Sequence, residues 1–191
     1  MGGELRGDSL VHLNVRFSTE AEMKQTLDFL YEKSKEGIAF TGLVEAMVNE
    51  VTIVTAIHNI KSNKGSKTAG VDQIKMDRYL QMPREELIAL IRDSFSNYRP
   101  KPARRVYIPK KNGRMRPLSI PCMKDRAMQT LYKFALEPIA EITADPNSYG
   151  FRAKRCVQDA IEQCFTCLNK AKSPKWVLEG DIKGCFDNIS H

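Results

Sequence analysis

Apolar positions along this chain recur at two spacings, and the change from one to the other divides it into elements. Met23, Leu27, Leu30 and Tyr31 fall three or four apart, which is one face of a helix. Thr19-Glu20-Ala21-Glu22 supplies a capping box for its start, and Gly37 a natural stop. Leu43, Met47, Val51, Val54 and Ile57 continue the same spacing and predict a second helix over about 42–60, despite many β-branched residues. Residues 62–72 hold glycines, small polar side chains and lysines with nothing to bury, and read as a loop. Pro83 suits the first turn of a third helix, which Leu87, Ile88, Leu90, Ile91 and Phe95 carry to about Tyr98.

Arg99-Pro100-Lys101-Pro102 then breaks the helical pattern, because a residue before proline is pushed out of the helical region. Two strand-like runs follow, 104–109 and 114–121, separated by Lys110-Lys111-Asn112-Gly113; Asn-Gly between strands is a strong hairpin signal. A long helix is predicted over 124–143, with Met128, Leu131, Tyr132, Ala135, Leu136 and Ile139 inward and Pro138 as a kink or interruption. A turn-rich loop at 145–152, a helix over 156–171, a terminal strand over 175–182 and a new helix near Phe186 complete the pattern. The opening segment, to about Phe17, reads as a strand or tail.

Composition narrows the class. With 191 residues, 42% hydrophobic and 28% charged, the chain has room for a core and one or two domains. No apolar run approaches the roughly 18–20 residues of a membrane span. The start shows no basic-then-apolar leader, so a cytoplasmic (bacterial) or organellar protein is expected, not a secreted one. The five cysteines are odd in number and read as reduced thiols. Cys164-x-x-Cys167 has no second pair, so a buried helix face is expected rather than zinc.

The formal net charge of +7 is unevenly spread. Residues 1–58 hold five Lys/Arg against nine Asp/Glu, whereas 59–191 hold 25 against 14. Between Arg99 and Arg126 ten basic residues face one acid, Asp125. A localised positive field favours a polyanion, most simply nucleic acid; a solvated basic surface is the plain alternative.

Four stretches are candidates for chemistry. Asp181 falls at the end of the terminal strand, on the face of Val177 and Glu179, where a carboxylate suits a divalent-metal nucleotidyl-transfer site as one ligand of several. It could equally cap a turn. The hairpin carries Arg104, Arg105, Lys110, Lys111, Arg114 and Arg116, suited to phosphates as point charges and forks, or to guarding a sheet edge. In Ser148-Tyr149-Gly150-Phe151-Arg152, the rings offer flat faces for sugar or base and Arg152 a phosphate contact; the rings could instead pin the loop to the core. Lys64 and Lys67, with the glycines of their loop, could follow a phosphate backbone or simply be solvated.

Taken together, in this order and spacing, these motifs resemble the reverse transcriptases encoded by group II introns, over nearly the whole chain from about residue 20. The most specific portions are Arg105-Val106-Tyr107-Ile108-Pro109-Lys110-Lys111-Asn112-Gly113-Arg114-Met115-Arg116-Pro117-Leu118, then Ile120-Pro121 with Asp125-Arg126 and Gln129, then Ser148-Tyr149-Gly150-Phe151-Arg152, and Asp181-Ile182-Lys183-Gly184-Cys185-Phe186-Asp187-Asn188-Ile189. The resemblance implies an α+β fold: helix-rich fingers with a basic β-hairpin and the start of a palm sheet, an incomplete polymerase fold. It implies an N-terminal extension with a lid-like loop over 1–72, fingers over 73–174 and the start of the palm over 175–191.

Carried over by position, Asp181 and the backbone carbonyl of Ile182 would bind Mg²⁺. Lys110 and Arg116 would contact the nucleoside triphosphate. Phe186 would pack under the incoming sugar and disfavour a 2′-hydroxyl. Lys64, Lys67, Arg104, Arg105, Lys111, Arg114, Tyr149 and Arg152 would meet RNA or template. The implied partners are group II intron RNA, an RNA template with a DNA primer, and dNTPs, with no membrane and with room for a homodimer. Cys185 departs from the bulky residue the family often carries there. The chain stops ten residues after Asp181, before the paired aspartates that supply the family's other metal ligands, so a working polymerase site is not expected within these 191 residues. This piece is therefore expected to bind RNA without polymerising. A non-catalytic RNA-binding splicing factor of the same fold, and a related bacterial RNA-dependent polymerase without an intron, remain competing readings.

Overall fold

The computed structural model describes residues 10–13, 15–185 and 188. It divides into two compact units, 1–143 and 144–191.

The first unit opens with β1 (Leu10–His12), which pairs in parallel with β2 (Ala39–Thr41) across α1 (Glu20–Lys35). Local chemistry starts α1 where the sequence predicts: the Thr19 hydroxyl accepts from the Glu22 amide at 3.2 Å. The Glu22 carboxylate reaches past the cap to accept from the Ser18 amide at 2.7 Å. That hydrogen bond is the main reason its pKa lies below the ordinary carboxylate value.

The predicted second helix is two helices, α2 (Leu43–Met47) and α3 (Glu50–Ser62). Asn49 breaks them: its backbone is extended and its side-chain oxygen caps α3 through the Val51 amide at 2.9 Å. Its Nδ2 donates to the carbonyls of Val15 and Phe17, at 3.0 and 3.1 Å, which ties down the chain leading into α1.

Next come a short 3₁₀ helix, Lys64–Lys67, and α4 (Met76–Leu80), neither of them predicted. They precede α5 (Arg84–Ser96), which starts behind Pro83 as expected. The hairpin is present as β3 (Arg104–Pro109) antiparallel to β4 (Met115–Ile120), in the register Arg104↔Ile120, Val106↔Leu118 and Ile108↔Arg116. The long α6 (Met123–Thr143) follows and continues through Pro138.

The core lies among α2 to α6. Ile53, Ala56, Ile57 and Ile60 of α3 meet Ile88 and Ile91 of α5 and Met128 and Leu131 of α6, all buried. Gly70 is part of this packing. A Cβ there would lie 2.8 Å from the Cα, N and Sγ of Cys122, so only glycine lets the loop approach.

The second unit contains α7 (Val157–Leu168), started by Asp159, whose carboxylate accepts from the Cys156 amide at 2.7 Å. Its apolar side chains Val157, Ile161, Phe165 and Leu168 are exposed. Cys164 and Cys167 are exposed too, contrary to the buried face expected from their spacing; helical periodicity fixes which face a residue is on, not whether that face is covered. The terminal strand is also corrected. Residues 175–182 form no ladder, and Trp176 and Leu178 are 94% and 96% exposed. A strand exists only through a hydrogen-bonded neighbour, and no described segment pairs with this one. The start of a palm sheet is therefore absent from the described residues.

Candidate nucleic-acid interface

The basic hairpin is the best-defined element of the predicted site. Its turn is closed by Gly113 N–H to the Lys110 carbonyl at 3.0 Å and Lys110 N–H to the Arg114 carbonyl at 2.7 Å. Asn112 accepts from the Arg114 amide at 3.2 Å, and Gly113 takes the left-handed φ of +76°. This is the longer hairpin loop ending in a left-handed residue, rather than a two-residue turn.

Strand alternation puts Arg104, Val106 and Ile108 on one face with Ile120, Leu118 and Arg116 opposite. At the base of that face Arg104, Val106, Leu118 and Ile120 are half-buried, and the Arg104 Nε has no hydrogen-bond partner among the described residues. Toward the tip the face becomes exposed and ends in Arg116 and, by the same alternation, Lys110. Arg105 lies on the opposite, exposed face with Tyr107, and Lys111 and Arg114 are exposed at the turn. None of these six cations forms an ion pair among the described residues. An uncompensated positive surface of this kind is electrostatically complementary to a polyanion.

Lys64 and Lys67 are exposed on the 3₁₀ helix, and their loop is not the loose linker its composition suggests. Arg126 of α6 donates from Nη1 to the Gly65 carbonyl and from Nη2 to the Thr68 carbonyl, both at 2.8 Å. Beside this bridge lies an open cleft of about 220 Å³, lined by Asn63, Gly65, Ser66, Arg126, Gln129 and Lys133 among others. Arg126 stands in the Asp125-Arg126 motif, and its sequence context suggests no such bridge. Asp125, its neighbour, is buried and accepts from the Tyr98 hydroxyl at 2.7 Å, a contact the sequence did not suggest.

In the second unit, Tyr149 is half-buried and the Arg155 guanidinium lies 5.9 Å from its ring centroid. Arg155 also donates to the Pro146 and Ser148 carbonyls, so one face of Tyr149 is spent on bracing its own loop. Phe151, with a left-handed φ of 60°, is fully exposed and offers the free ring of this loop. Arg152 is half-buried.

Asp181 and Ile182 are exposed in irregular backbone. Among the described residues no three His, Cys, Asp or Glu side chains gather as a metal site. One carboxylate and one carbonyl do not make an Mg²⁺ site, so the described residues do not by themselves fit that ion. Phe186 lies outside the described residues. No helix among the described residues is long and apolar enough to cross a membrane.

Known proteins with similar sequences define the family. The family model described as reverse transcriptase (RNA-dependent DNA polymerase) matches residues 108–191. The group II intron-encoded protein LtrA of Lactococcus lactis subsp. cremoris is 36% identical over 168 residues, covering 86% of this chain and 27% of that protein. Protein YkfC of Escherichia coli is 41% identical over 139 residues, covering 68% of this chain and 35% of YkfC. A 91 kDa protein in the cob intron of Schizosaccharomyces pombe is 32% identical over 187 residues, 93% of this chain and 23% of its own length. The chain belongs to the reverse transcriptases and maturases encoded by group II introns. It spans between about a quarter and a third of the relatives named here.

Proposed function

We propose that this chain forms the RNA-gripping part of an RNA-directed DNA polymerase that also binds its own group II intron RNA to assist splicing and retrohoming. In this reading 1–72 is an N-terminal extension, 73–174 the fingers and 175–191 the approach to the palm. The single observation that carries it is the hairpin, whose six cations stand without acidic partners in a chain related to intron-encoded proteins. Lys110 and Arg116, on one face, meet the nucleoside triphosphate. Arg104, Arg105, Lys111, Arg114, Lys64, Lys67, Tyr149 and Arg152 meet RNA or template.

Asp181 and the Ile182 carbonyl each contribute one oxygen toward Mg²⁺. Because the described residues hold no further ligands, no chemical step is assigned to this chain by itself. Phe186 is the sugar-selecting aromatic, and its exchange for alanine is expected to raise the ratio of ribo- to deoxynucleotide incorporation.

The test has two arms. In the full-length protein, Asp181→Ala should abolish primer extension and leave RNA affinity unchanged; normal extension refutes the metal role. In the chain itself, Lys111→Ala with Arg114→Ala should weaken RNA binding and flatten its dependence on salt by about 0.7 in log–log slope per lost phosphate contact. An unchanged slope refutes the hairpin as the contact.

A further inference from the structure

The Arg126 guanidinium makes three hydrogen bonds among the described residues, all to backbone carbonyls. Nε donates to Pro121 at 3.1 Å, Nη1 to Gly65 and Nη2 to Thr68, each at 2.8 Å. It forms no ion pair among the described residues, and burial is the main cause that lowers its pKa from the ordinary arginine value. Its planar fork is thus used for geometry. Gly65 lies inside the 3₁₀ helix that carries Lys64 and Lys67 and Thr68 follows its end, while Pro121 directly follows β4. Two residues beyond Thr68, Gly70 is packed against the Cys122 backbone, so the far side of the loop is fixed as well. One side chain therefore joins the lysine-bearing turn to the base of the basic hairpin.

We propose that Arg126 is a positioning residue: it holds the 63–68 turn so that Lys64 and Lys67 meet RNA phosphates as a preformed pair, in fixed relation to the hairpin. The proposal rests on the RNA-binding reading above. A preformed pair spares the ordering cost that a loose loop would meet on binding. Lysine at this position keeps the charge and loses the fork, so it cannot span the three carbonyls.

The experiment compares the 191-residue chain with Arg126→Lys, Lys64→Ala/Lys67→Ala, and all three changes combined. Amide hydrogen exchange and the binding of a labelled single-stranded RNA are measured for each. The Ser66 and Thr68 amides, bonded to Asn63 and Gly65 at 3.0 Å, should exchange about tenfold faster in Arg126→Lys, with core helices unchanged. RNA affinity should fall roughly threefold or more although net charge is kept, and removing both lysines should then cost less than in the wild type. Ser66→Gly loosens the same turn without touching the core, and should show the same non-additivity if Arg126→Lys fails to fold. Unchanged exchange, or strictly additive losses, overturns the proposal. Faster exchange in a chain that does not bind RNA at all overturns the RNA-binding reading and reduces Arg126 to a brace.

Discussion

Tyr98 and Asp125 show how much one buried pair decides. The Tyr98 hydroxyl is the hydrogen-bond partner of Asp125 Oδ1, and Oδ2 has none among the described residues. Tyr98→Phe removes that donor and should cost about 1–3 kcal/mol, read from the shift of the denaturation midpoint. Burial raises the pKa of both Tyr98 and Tyr79, the latter to about 12. Below the ordinary value near 10 both tyrosines are neutral in either state. Above it the unfolded chain loses its proton first, so stability falls as pH rises from about 10 to 12. Tyr79→Phe should flatten that alkaline loss in unfolding measurements across this window; an unchanged profile would refute it. Residue-level features divide by sequence separation. The Thr19 cap was legible because donor and acceptor are three positions apart. The Arg126 bonds to Gly65 and Thr68 span 61 and 58 positions, and no local pattern announces them.

Among elements, hydrophobic spacing located most helices and missed where one ends. Met47 and Val51 are four apart, so the apolar stripe passes unbroken over Asn49 although the backbone does not. Asn49→Ala should remove the α3 cap and both ties to Val15 and Phe17. About 1–2 kcal/mol of destabilisation is expected, measurable as a lower Tm. The hairpin was legible because turn and strands are contiguous. Gly113→Ala tests its turn: with φ at +76°, a loss of about 1–2 kcal/mol is expected. The 175–182 segment was misjudged as a strand because alternation describes a side-chain pattern, while a ladder needs a neighbour. Similarly, α7 was located by its stripe, but nothing in a stripe says what covers it.

At the scale of the molecule, the proposed reading makes the basic excess of residues 59–191 the source of RNA affinity, which should then fall steeply with salt. A chain whose RNA affinity is indifferent to ionic strength would contradict the electrostatic reading. The family match begins at Ile108, inside β3, whereas the packing divides at Thr143 and Ala144. Similarity and compactness therefore recommend different places to cut. Severing at 107/108 would separate Arg104, Arg105, Val106 and Tyr107 from their partners on β4, leaving an unpaired ribbon. Dilute protease should instead nick first in the turn-rich stretch just after Thr143, where Asp145, Pro146 and Asn147 are exposed, and release a resistant N-terminal piece. For anyone dissecting this molecule, the scissors belong after α6.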